Sequence, residues 1–231
     1  MRWVAGGVWS STPAGTGRLI PPTVSLDAEL LELLSPRRGH FQLESGYHSE
    51  LWFDLDPLFT RPDRVQPFVA ALARRLSAHS IAAICGPQTG GATLAEMLGA
   101  ELRLPWHAAD RSVDPAATGL FPVRYRFSER SHAELRGQAV AIVDDAISAG
   151  SAVRGCHADL LAGGARPVAL GALFVFGEKA EGFAREAGVP MEWIARMDFG
   201  LWRPVECPRC RAGGVAEKRS DPMGQKRAEN P

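Results

Sequence analysis

Short apolar runs alternate with segments of helical periodicity along most of this 231-residue chain. The runs IAAIC (81–85), QAVAIVD (138–144) and PVALGALFVF (167–176) are almost continuously apolar, which is typical of strands buried on both faces. Apolar residues recur at helical spacing in four further segments, 63–79, 92–102, 151–162 and 181–188. Strands that alternate with helices predict an α/β fold with a mostly parallel sheet flanked by helices.

The N-terminal third adds a short helix and a hairpin to this pattern. Ser25 and Asp27 are residue types that cap a helix N-terminus, and a short apolar stretch follows them. HFQLES (40–45) and ELWFDLD (50–56) predict two strands around a turn at Gly46.

Composition marks off the two ends of the chain and one irregular stretch inside it. Residues 1–23 are rich in Gly, Ser, Thr and Pro without a period, which is typical of a loose arm. We expect one domain over 24–206, followed at 207–231 by a Cys-x2-Cys segment and a polar, disordered tail. Inside the domain, PWHAAD (105–110) predicts a strand, and residues 111–136 are polar and irregular.

Charge and hydropathy exclude several classes of protein. The formal net charge is zero, so nothing indicates a nucleic-acid partner or an acidic membrane surface. The longest apolar run, 167–176, is about half the roughly 20 residues that a membrane helix needs. Four cysteines are too few for a disulfide-built fold. We therefore expect a cytoplasmic protein with a hydrophobic core.

Two adjacent carboxylates, Asp144 and Asp145, stand where the apolar run 138–144 stops. Open α/β sheets bind ligands beyond the carboxyl ends of their strands, which makes this a candidate ligand position. Because side chains alternate between the faces of a strand, both acids can face one ligand only if the strand ends at them. Two neighbouring carboxylates accept hydrogen bonds from two neighbouring hydroxyls, as in a ribose.

The small residues after the acids predict an anion site. The loop that leads into the predicted helix at 151–162 consists of Ser148, Ala149, Gly150 and Ser151. The backbone N–H groups of such a loop, its hydroxyls and a helix N-terminus together bind phosphate. A diol reader and a phosphate cradle a few residues apart describe a site for a 5-phosphoribose.

Two other interpretations of the acidic pair remain open. Asp144 can cap the following helix while Asp145 is solvated. Paired acids at a strand end also hold Mg²⁺ in receiver domains. That fold places the pair on its first strand with a lysine downstream, whereas here the pair is late and the first lysine of the chain is Lys179.

The whole segment AVAIVDDAISAGSAVRG (139–155) resembles the phosphoribosyl-diphosphate (PRPP) signature of type I phosphoribosyltransferases. The resemblance implies that Asp144 and Asp145 bind the ribose hydroxyls, serve catalysis and help to hold Mg²⁺ as cofactor. The PRPP-binding residues it implies here are Asp144, Asp145, Ala146, Ile147, Ser148, Ala149, Gly150 and Ser151. Such proteins are commonly dimeric, so a homodimer is expected.

A second loop, CGPQTGG (85–91), follows the strand IAAIC and opens a helix. Its exposed backbone suits an anion, although a plain strand-to-helix turn is an equal alternative. Beside the paired acids it resembles the pyrophosphate loop of the same family, which implies PRPP binding by Gly86, Pro87, Gln88, Thr89 and Gly90. In the family this loop often carries a non-proline cis peptide, which Gln88 or Thr89 would flank here.

The stretch FQLESGYHSELWFDLD (41–56) resembles the N-terminal part of orotate phosphoribosyltransferases, where a Phe-x-Leu-x-Ser-Gly stretch precedes an aromatic pair. This implies a small N-terminal hood over the base and the diphosphate, with Trp52 and Phe53 as base-binding residues. Taken alone, aromatic residues in a strand-like run belong to the core more often than to a site. The resemblance covers about residues 38–190.

The chain departs from that family at three places. One is VFGEKAEG (175–182), which contains Lys179 but no arginine where the family binds the carboxylate of orotate. Glu44 stands where the family has a lysine, and the lid region RYRFSERSHAELRG (124–137) contains arginines but no lysine. Arg124 and Arg126 are the candidate catalytic cations of this flexible lid, because arginine binds diphosphate bidentately. These departures concern the acceptor base, and the PRPP half of the site is intact.

The C-terminal CPRC motif, with Cys207 and Cys210, is half of a structural zinc site. Zinc would need a second pair of ligands, for example from another subunit. The alternative is a turn without metal.

These features predict a Mg²⁺-dependent phosphoribosyltransferase that transfers 5-phosphoribose from PRPP to a nitrogen of an orotate-like nucleobase and releases diphosphate. The step would belong to pyrimidine nucleotide synthesis. The alternative is a non-catalytic, PRPP-binding regulatory paralog.

Overall fold

The computed structural model describes residues 26–113 and 119–218. The strands in these ranges are β1 (Pro36–Gln42), β2 (His48–Phe53), β3 (Ala83–Pro87), β4 (Trp106–Val113), β5 (Val123–Arg126), β6 (Ala139–Ile147), β7 (Arg166–Phe176), β8 (Met191–Met197), β9 (Leu201–Trp202) and β10 (Glu217–Lys218). The α-helices are α1 (Leu26–Leu31), α2 (Asp56–Phe59), α3 (Pro62–Leu76), α4 (Gly90–Leu102), α5 (Glu129–Leu135), α6 (Ser151–Ala162), α7 (Lys179–Ala187) and α8 (Pro208–Arg211).

The central sheet has six strands in the order β5-β4-β3-β6-β7-β8. Strands β4, β3, β6, β7 and β8 pair in parallel, and β5 pairs antiparallel to β4 at one edge. Helices connect the parallel strands, as such pairing requires. The predicted fold class, a mostly parallel sheet flanked by helices, is confirmed.

Alternation along β6 divides the core into two hydrophobic clusters. Ala141 and Val143 belong to the cluster that includes apolar residues of α3 and α4. Val140 and Ile142 belong to the other cluster, which includes apolar residues of α6 and α7. Both faces of the central strands are therefore covered, which explains why their sequences are apolar at every position instead of every second one.

A second, four-stranded sheet has the order β10-β1-β2-β9, and we call it the hood sheet. Its centre is the antiparallel hairpin of β1 and β2, whose turn includes Gly46 with a φ of +82°. That turn agrees with the predicted hairpin. The two outer strands come from the C-terminal part of the chain and have two residues each.

The prediction of a disordered tail from residue 211 onward is wrong for residues 211–218. Residues 208–211 form α8, and β10 pairs in parallel with β1. A polar sequence can form a short edge strand because the pairing uses backbone groups alone. Residues 219–231 and the expected arm at 1–23 lie outside the described residues.

The prediction of an irregular stretch at 111–136 is also wrong for most of its length. β4 continues to Val113, β5 pairs with it, and α5 follows with Ser128 as its cap. β5 buries Val123 and Tyr125 and exposes the arginines beside them, but four residues are too few for this alternation to be evident in the sequence. Residues 114–118 of the expected lid lie outside the described residues.

No helix among the described residues is long and apolar enough to cross a membrane.

Gly86 lies so close to the start of α4 that a Cβ added to it would overlap the backbone carbonyl of Gly91. We expect Gly86→Ala to lower the free energy of unfolding by about 3 kcal/mol or more, because backbone cannot move aside as a flexible side chain can. Gly182, inside α7 with open space around it, is the matched control. Gly182→Ala should raise stability by up to about 1 kcal/mol. Urea denaturation of both variants measures the difference, and equal stability of Gly86→Ala and wild type would contradict this packing.

Candidate active site

A cavity of about 280 Å³, the central cavity, lies at the carboxyl ends of β3 and β6. In the described chain, β6 pairs with β3 only as far as Ile142, opposite Cys85, and then continues to Ile147 beside β7. The prediction that the strand ends at Asp144 and Asp145 is therefore wrong. What ends there is the pairing on the β3 side, and this opens one edge of β6 to the cavity.

Both carboxylates reach the first turn of α4 although they alternate along β6. A Cβ added to Gly91 would lie 2.8 Å from Oδ1 of Asp144, and one added to Gly90 would overlap the carboxylate of Asp145. The carboxylates also accept neighbouring backbone N–H groups: Asp144 that of Asp145 at 3.1 Å, and Asp145 that of Ala146 at 2.8 Å. Because Gly90 and Gly91 have no side chains, the start of α4 leaves room for both carboxylates.

Burial makes this pair of acids hard to ionise. It raises the pKa of Asp144 well above its ordinary value, and the charges of Asp145 and Glu44 raise it further. Burial also raises the pKa of Asp145 to about 6, although the N–H of Ala146 opposes the shift. Two buried acids of this kind favour a ligand that donates hydrogen bonds or brings positive charge.

The loop between β3 and α4 forms one wall of the cavity. Pro87, Gln88, Thr89 and Gly90 line it, whereas Gly86 packs behind them. The peptide bond between Gln88 and Thr89 is cis, as the family resemblance implied. The loop leads directly into the 13-residue helix α4, whose first N–H groups are suited to an anion.

The loop between β6 and α6 forms the next wall. With the end of β6 and the start of α6 it brings Ala146, Ile147, Ser148, Gly150 and Ser151 to the cavity, while the predicted Ala149 is buried and does not line it. Gly150 has a φ of +78°, a conformation that suits glycine, and α6 begins immediately after it. The structure therefore brings together the acids and both predicted anion loops.

Glu44 joins the hairpin turn to these loops. Its Oε1 accepts hydrogen bonds from the hydroxyls of Tyr125 at 2.7 Å and Ser151 at 3.1 Å, and its Oε2 accepts one from Nε of Arg111 at 2.8 Å. Burial and the negative charge of Glu44 raise the pKa of Tyr125, which keeps its hydroxyl a donor. The sequence marks Glu44 only as a departure from the family, and no local signal identifies its partners.

The predicted cations of the lid do not reach the central cavity. Tyr125 lines it, but Arg124 and Arg126 flank Tyr125 on the strand and are exposed on the other side. Arg126 lies 3.4 Å from Asp159, and Arg130 pairs with Glu134 along α5. Pairing of β5 with β4 sets which side chains point inward, and it turns these arginines outward.

The predicted aromatic pair forms part of an apolar wall of the central cavity. Trp52 and Phe53 both line the cavity, and Phe53 stacks on Phe176 with ring centroids 4.6 Å apart. Phe199 packs on both phenylalanines at 5.6 and 5.4 Å. Phe53 is thus core and cavity wall at once. Phe176 is missing from the prediction, although its place at the end of a buried strand is a usable signal.

Cys207 and Cys210 lie outside the central cavity. They face His40 and His48 of the hood sheet, in a separate cluster.

Known phosphoribosyltransferases are similar to this chain in sequence and in fold. No family model matches the chain. The chain is 28% identical over 180 residues to an orotate phosphoribosyltransferase of Thermotoga maritima, an alignment that covers 78% of this chain and 89% of that relative. An orotate phosphoribosyltransferase structure from Aeropyrum pernix superimposes with a TM-score of 0.56 at 21% identity, over 70% of this chain and 88% of that one.

An adenine phosphoribosyltransferase structure from Trypanosoma brucei superimposes with a TM-score of 0.59 at 14% identity, over 88% of this chain and 91% of that one. At such identities the structural likeness shows a shared fold. Together with the sequence relatives, it confirms the predicted resemblance to type I phosphoribosyltransferases, and the chain is similar in sequence to orotate phosphoribosyltransferases.

Proposed function

We propose that the protein transfers 5-phosphoribose from PRPP to a ring nitrogen of an orotate-like pyrimidine base, with Mg²⁺, and releases diphosphate. The observation that carries the proposal is the junction of Asp144 and Asp145 with the N-termini of α4 and α6 around one cavity. A diol needs two adjacent acceptors, and two anions need two separate donor loops. PRPP has this diol with a phosphate on one side and a diphosphate on the other.

The donor set fits Mg²⁺. Asp144 and Asp145 offer buried carboxylate oxygens, the ligand type that Mg²⁺ prefers. Burial raises the pKa of both acids by disfavouring their ionised forms, and a bound cation would offset that cost. We infer that they would hold the ion together with oxygens of PRPP. Bound there, Mg²⁺ would offset the charge on the leaving diphosphate.

The residues of the cavity have three tasks in such a transfer. Asp144 and Asp145 fix the ribose by accepting its hydroxyl protons in hydrogen bonds, which orients C1. The first N–H groups of α4 stabilise charge on the leaving diphosphate. The apolar wall of Trp52, Phe53 and Phe176 suits the flat face of a base and excludes water, which would otherwise hydrolyse PRPP.

Two observations bear on the identity of the acceptor base, and they favour different pyrimidines. The curated relative from Thermotoga maritima is an orotate phosphoribosyltransferase, which favours orotate. However, the described residues that line the cavity include five carboxylates and no Lys, Arg or His to pair with the carboxylate of orotate. That charge balance favours an uncharged pyrimidine such as uracil as the second candidate.

PRPP with Mg²⁺ is expected to raise the melting temperature of the wild type by about 5–10 °C at saturating ligand, because a ligand that binds only the folded state stabilises it. The double variant Asp144→Asn, Asp145→Asn should lose this shift, since it removes the carboxylate charges that hold Mg²⁺ and strengthen the hydrogen bonds from the ribose hydroxyls, while the side chains keep their size. Asp63→Asn, at an exposed position on α3, is the control and should keep the shift. Differential scanning fluorimetry measures it, and an unchanged shift in the double variant would exclude the acids as the PRPP site.

The raised pKa of Asp145 predicts how stability depends on pH without ligand. An acid whose pKa is raised from the ordinary 3.8 to about 6 in the folded state binds a proton more tightly there, so its ionisation destabilises the fold as pH rises through this window. Asp145→Asn should therefore match wild type at pH 4 and melt several degrees higher at pH 8, with an upper limit of about 3 kcal/mol. Thermal melts from pH 4 to 8 test this. A variant that is less stable than wild type at pH 8 would contradict it.

The acceptor is tested by incubating the protein with PRPP, Mg²⁺ and one base at a time, and by measuring diphosphate release. We expect release with orotate or uracil. With adenine the rate should be at most about 1% of that, because its larger ring system and different pattern of ring nitrogens would fit the site poorly. Silence with every base, together with a normal PRPP-induced thermal shift, would leave a PRPP-binding protein without transferase activity and refute the proposed reaction.

A further inference from the structure

Four side chains from distant parts of the chain converge beside the hood sheet, outside the central cavity: two histidines of the hairpin and two cysteines at α8. Their ligand atoms, Nε2 of His40, Nδ1 of His48 and the Sγ atoms of Cys207 and Cys210, all lie within 4.8 Å of one another. We propose that they bind one structural Zn²⁺ ion that fastens the C-terminal segment 201–218 to the β1–β2 hairpin. This goes beyond the proposed transfer reaction and is independent of it.

The distances between these atoms match a tetrahedral site. Zinc bonds of about 2.3 Å to sulfur and 2.0–2.1 Å to nitrogen give tetrahedral edges of about 3.3–3.8 Å. The two imidazole nitrogens are 3.0 Å apart, Cys210 Sγ lies 3.2 Å from His48 Nδ1, and Nε2 of His40 lies 3.4 Å and 3.6 Å from the Sγ atoms of Cys207 and Cys210. Small movements bring all four atoms to bonding distance of one central ion.

Hydrogen bonds alone do not account for this cluster. Nε2 of His40 has three polar neighbours, but an imidazole nitrogen has only one proton or one lone pair to offer. A metal ion uses the lone pairs of all four atoms at once. Cys207 and His48 are buried, so a charged group at this place would be costly. Two thiolates balance the charge of Zn²⁺ and make the complex neutral. Two sulfur and two nitrogen ligands in a tetrahedron favour zinc over harder cations.

Such an ion would hold the outer part of the hood sheet, whereas Leu51 and Phe53 of β2 already pack in a core cluster. The sheet's outer strands β9 and β10 have only two residues each, and they flank the hairpin on its two edges. Neither of the two hydrophobic clusters includes Phe41 or Cys207, although both residues are buried. Small units with little apolar core are commonly stabilised by a metal. The ligands His40 and His48 also flank the hairpin turn that carries Glu44 to the central cavity.

The experiment is metal analysis of the full chain, expressed with added zinc and purified with a reductant and without chelators. Mass spectrometry of the metal content should give about one zinc ion per chain. Cys207→Ser and His48→Ala should each reduce this to about 0.2 or less, because three ligands hold structural zinc poorly. Cys156→Ala and His79→Ala are the matched controls, one buried cysteine in α6 and one histidine that pairs with Glu192, and both should keep the zinc.

A second measurement covers the case in which the cluster variants fail to fold. Wild-type protein stripped of zinc and loaded with Co²⁺ should show the visible bands of a tetrahedral Co²⁺ site and thiolate-to-metal charge transfer in the near ultraviolet. Removal of the metal should speed hydrogen exchange in residues 36–53 and 201–218 and leave β6 and β7 protected. Absence of both zinc and the cobalt spectrum, or full zinc content in Cys207→Ser, would overturn the proposal. Neither readout requires turnover, so failure of the transferase assay would leave this result standing.

Discussion

The contact between the first turn of α4 and the two carboxylates of β6 is the constraint on which the central cavity depends. Side chains of adjacent strand residues point to opposite faces, so Asp144 and Asp145 share a neighbour only because α4 begins over the free edge of β6. Glycine at positions 90 and 91 makes this approach sterically possible. The cost is electrostatic, because burial of both acids raises their pKa values and leaves the site in need of a hydrogen-bond donor or a cation.

Local sequence patterns predicted the parts of the molecule that local physics determines. The almost continuous apolar runs identified the buried parallel strands, and the small residues after Asp145 identified a strand-to-helix loop. The Glu44 interactions show where such patterns end. Its partners Tyr125 and Ser151 are 81 and 107 residues away, and only the tertiary fold brings them together. The direction of Arg124 and Arg126 could not be predicted for a related reason. It is set by the pairing of β5 with β4, which no short motif encodes.

The C-terminal motif shows that a sequence can predict half of a metal site. Cys207 and Cys210 have a spacing that metal sites use, and the spacing alone left the other two ligands undefined. The histidines that face them are 167 and 162 residues away, in the antiparallel pair of β1 and β2, where their ring nitrogens lie 3.0 Å apart. A resemblance that covers about residues 38–190 does not extend to the cysteines, so it could not supply them either.

The charge balance of the central cavity depends in part on Glu44, which lies in the hairpin turn. The described lining of the central cavity has carboxylates and no cationic side chain, so in the proposed reaction the leaving diphosphate relies on the N–H groups of α4 and on Mg²⁺. Glu44 fits this arrangement because Arg111 offsets its charge while its oxygens hold Ser151 and Tyr125 in place. In the proposed reaction Glu44 would therefore position its partners from the turn between the two proposed histidine ligands, and it would not replace the charge of the lysine that the family has there. A rigid hairpin matters more in such a site than in one whose charge is carried by mobile lysines, because hydrogen-bond geometry tolerates less displacement than a point charge does.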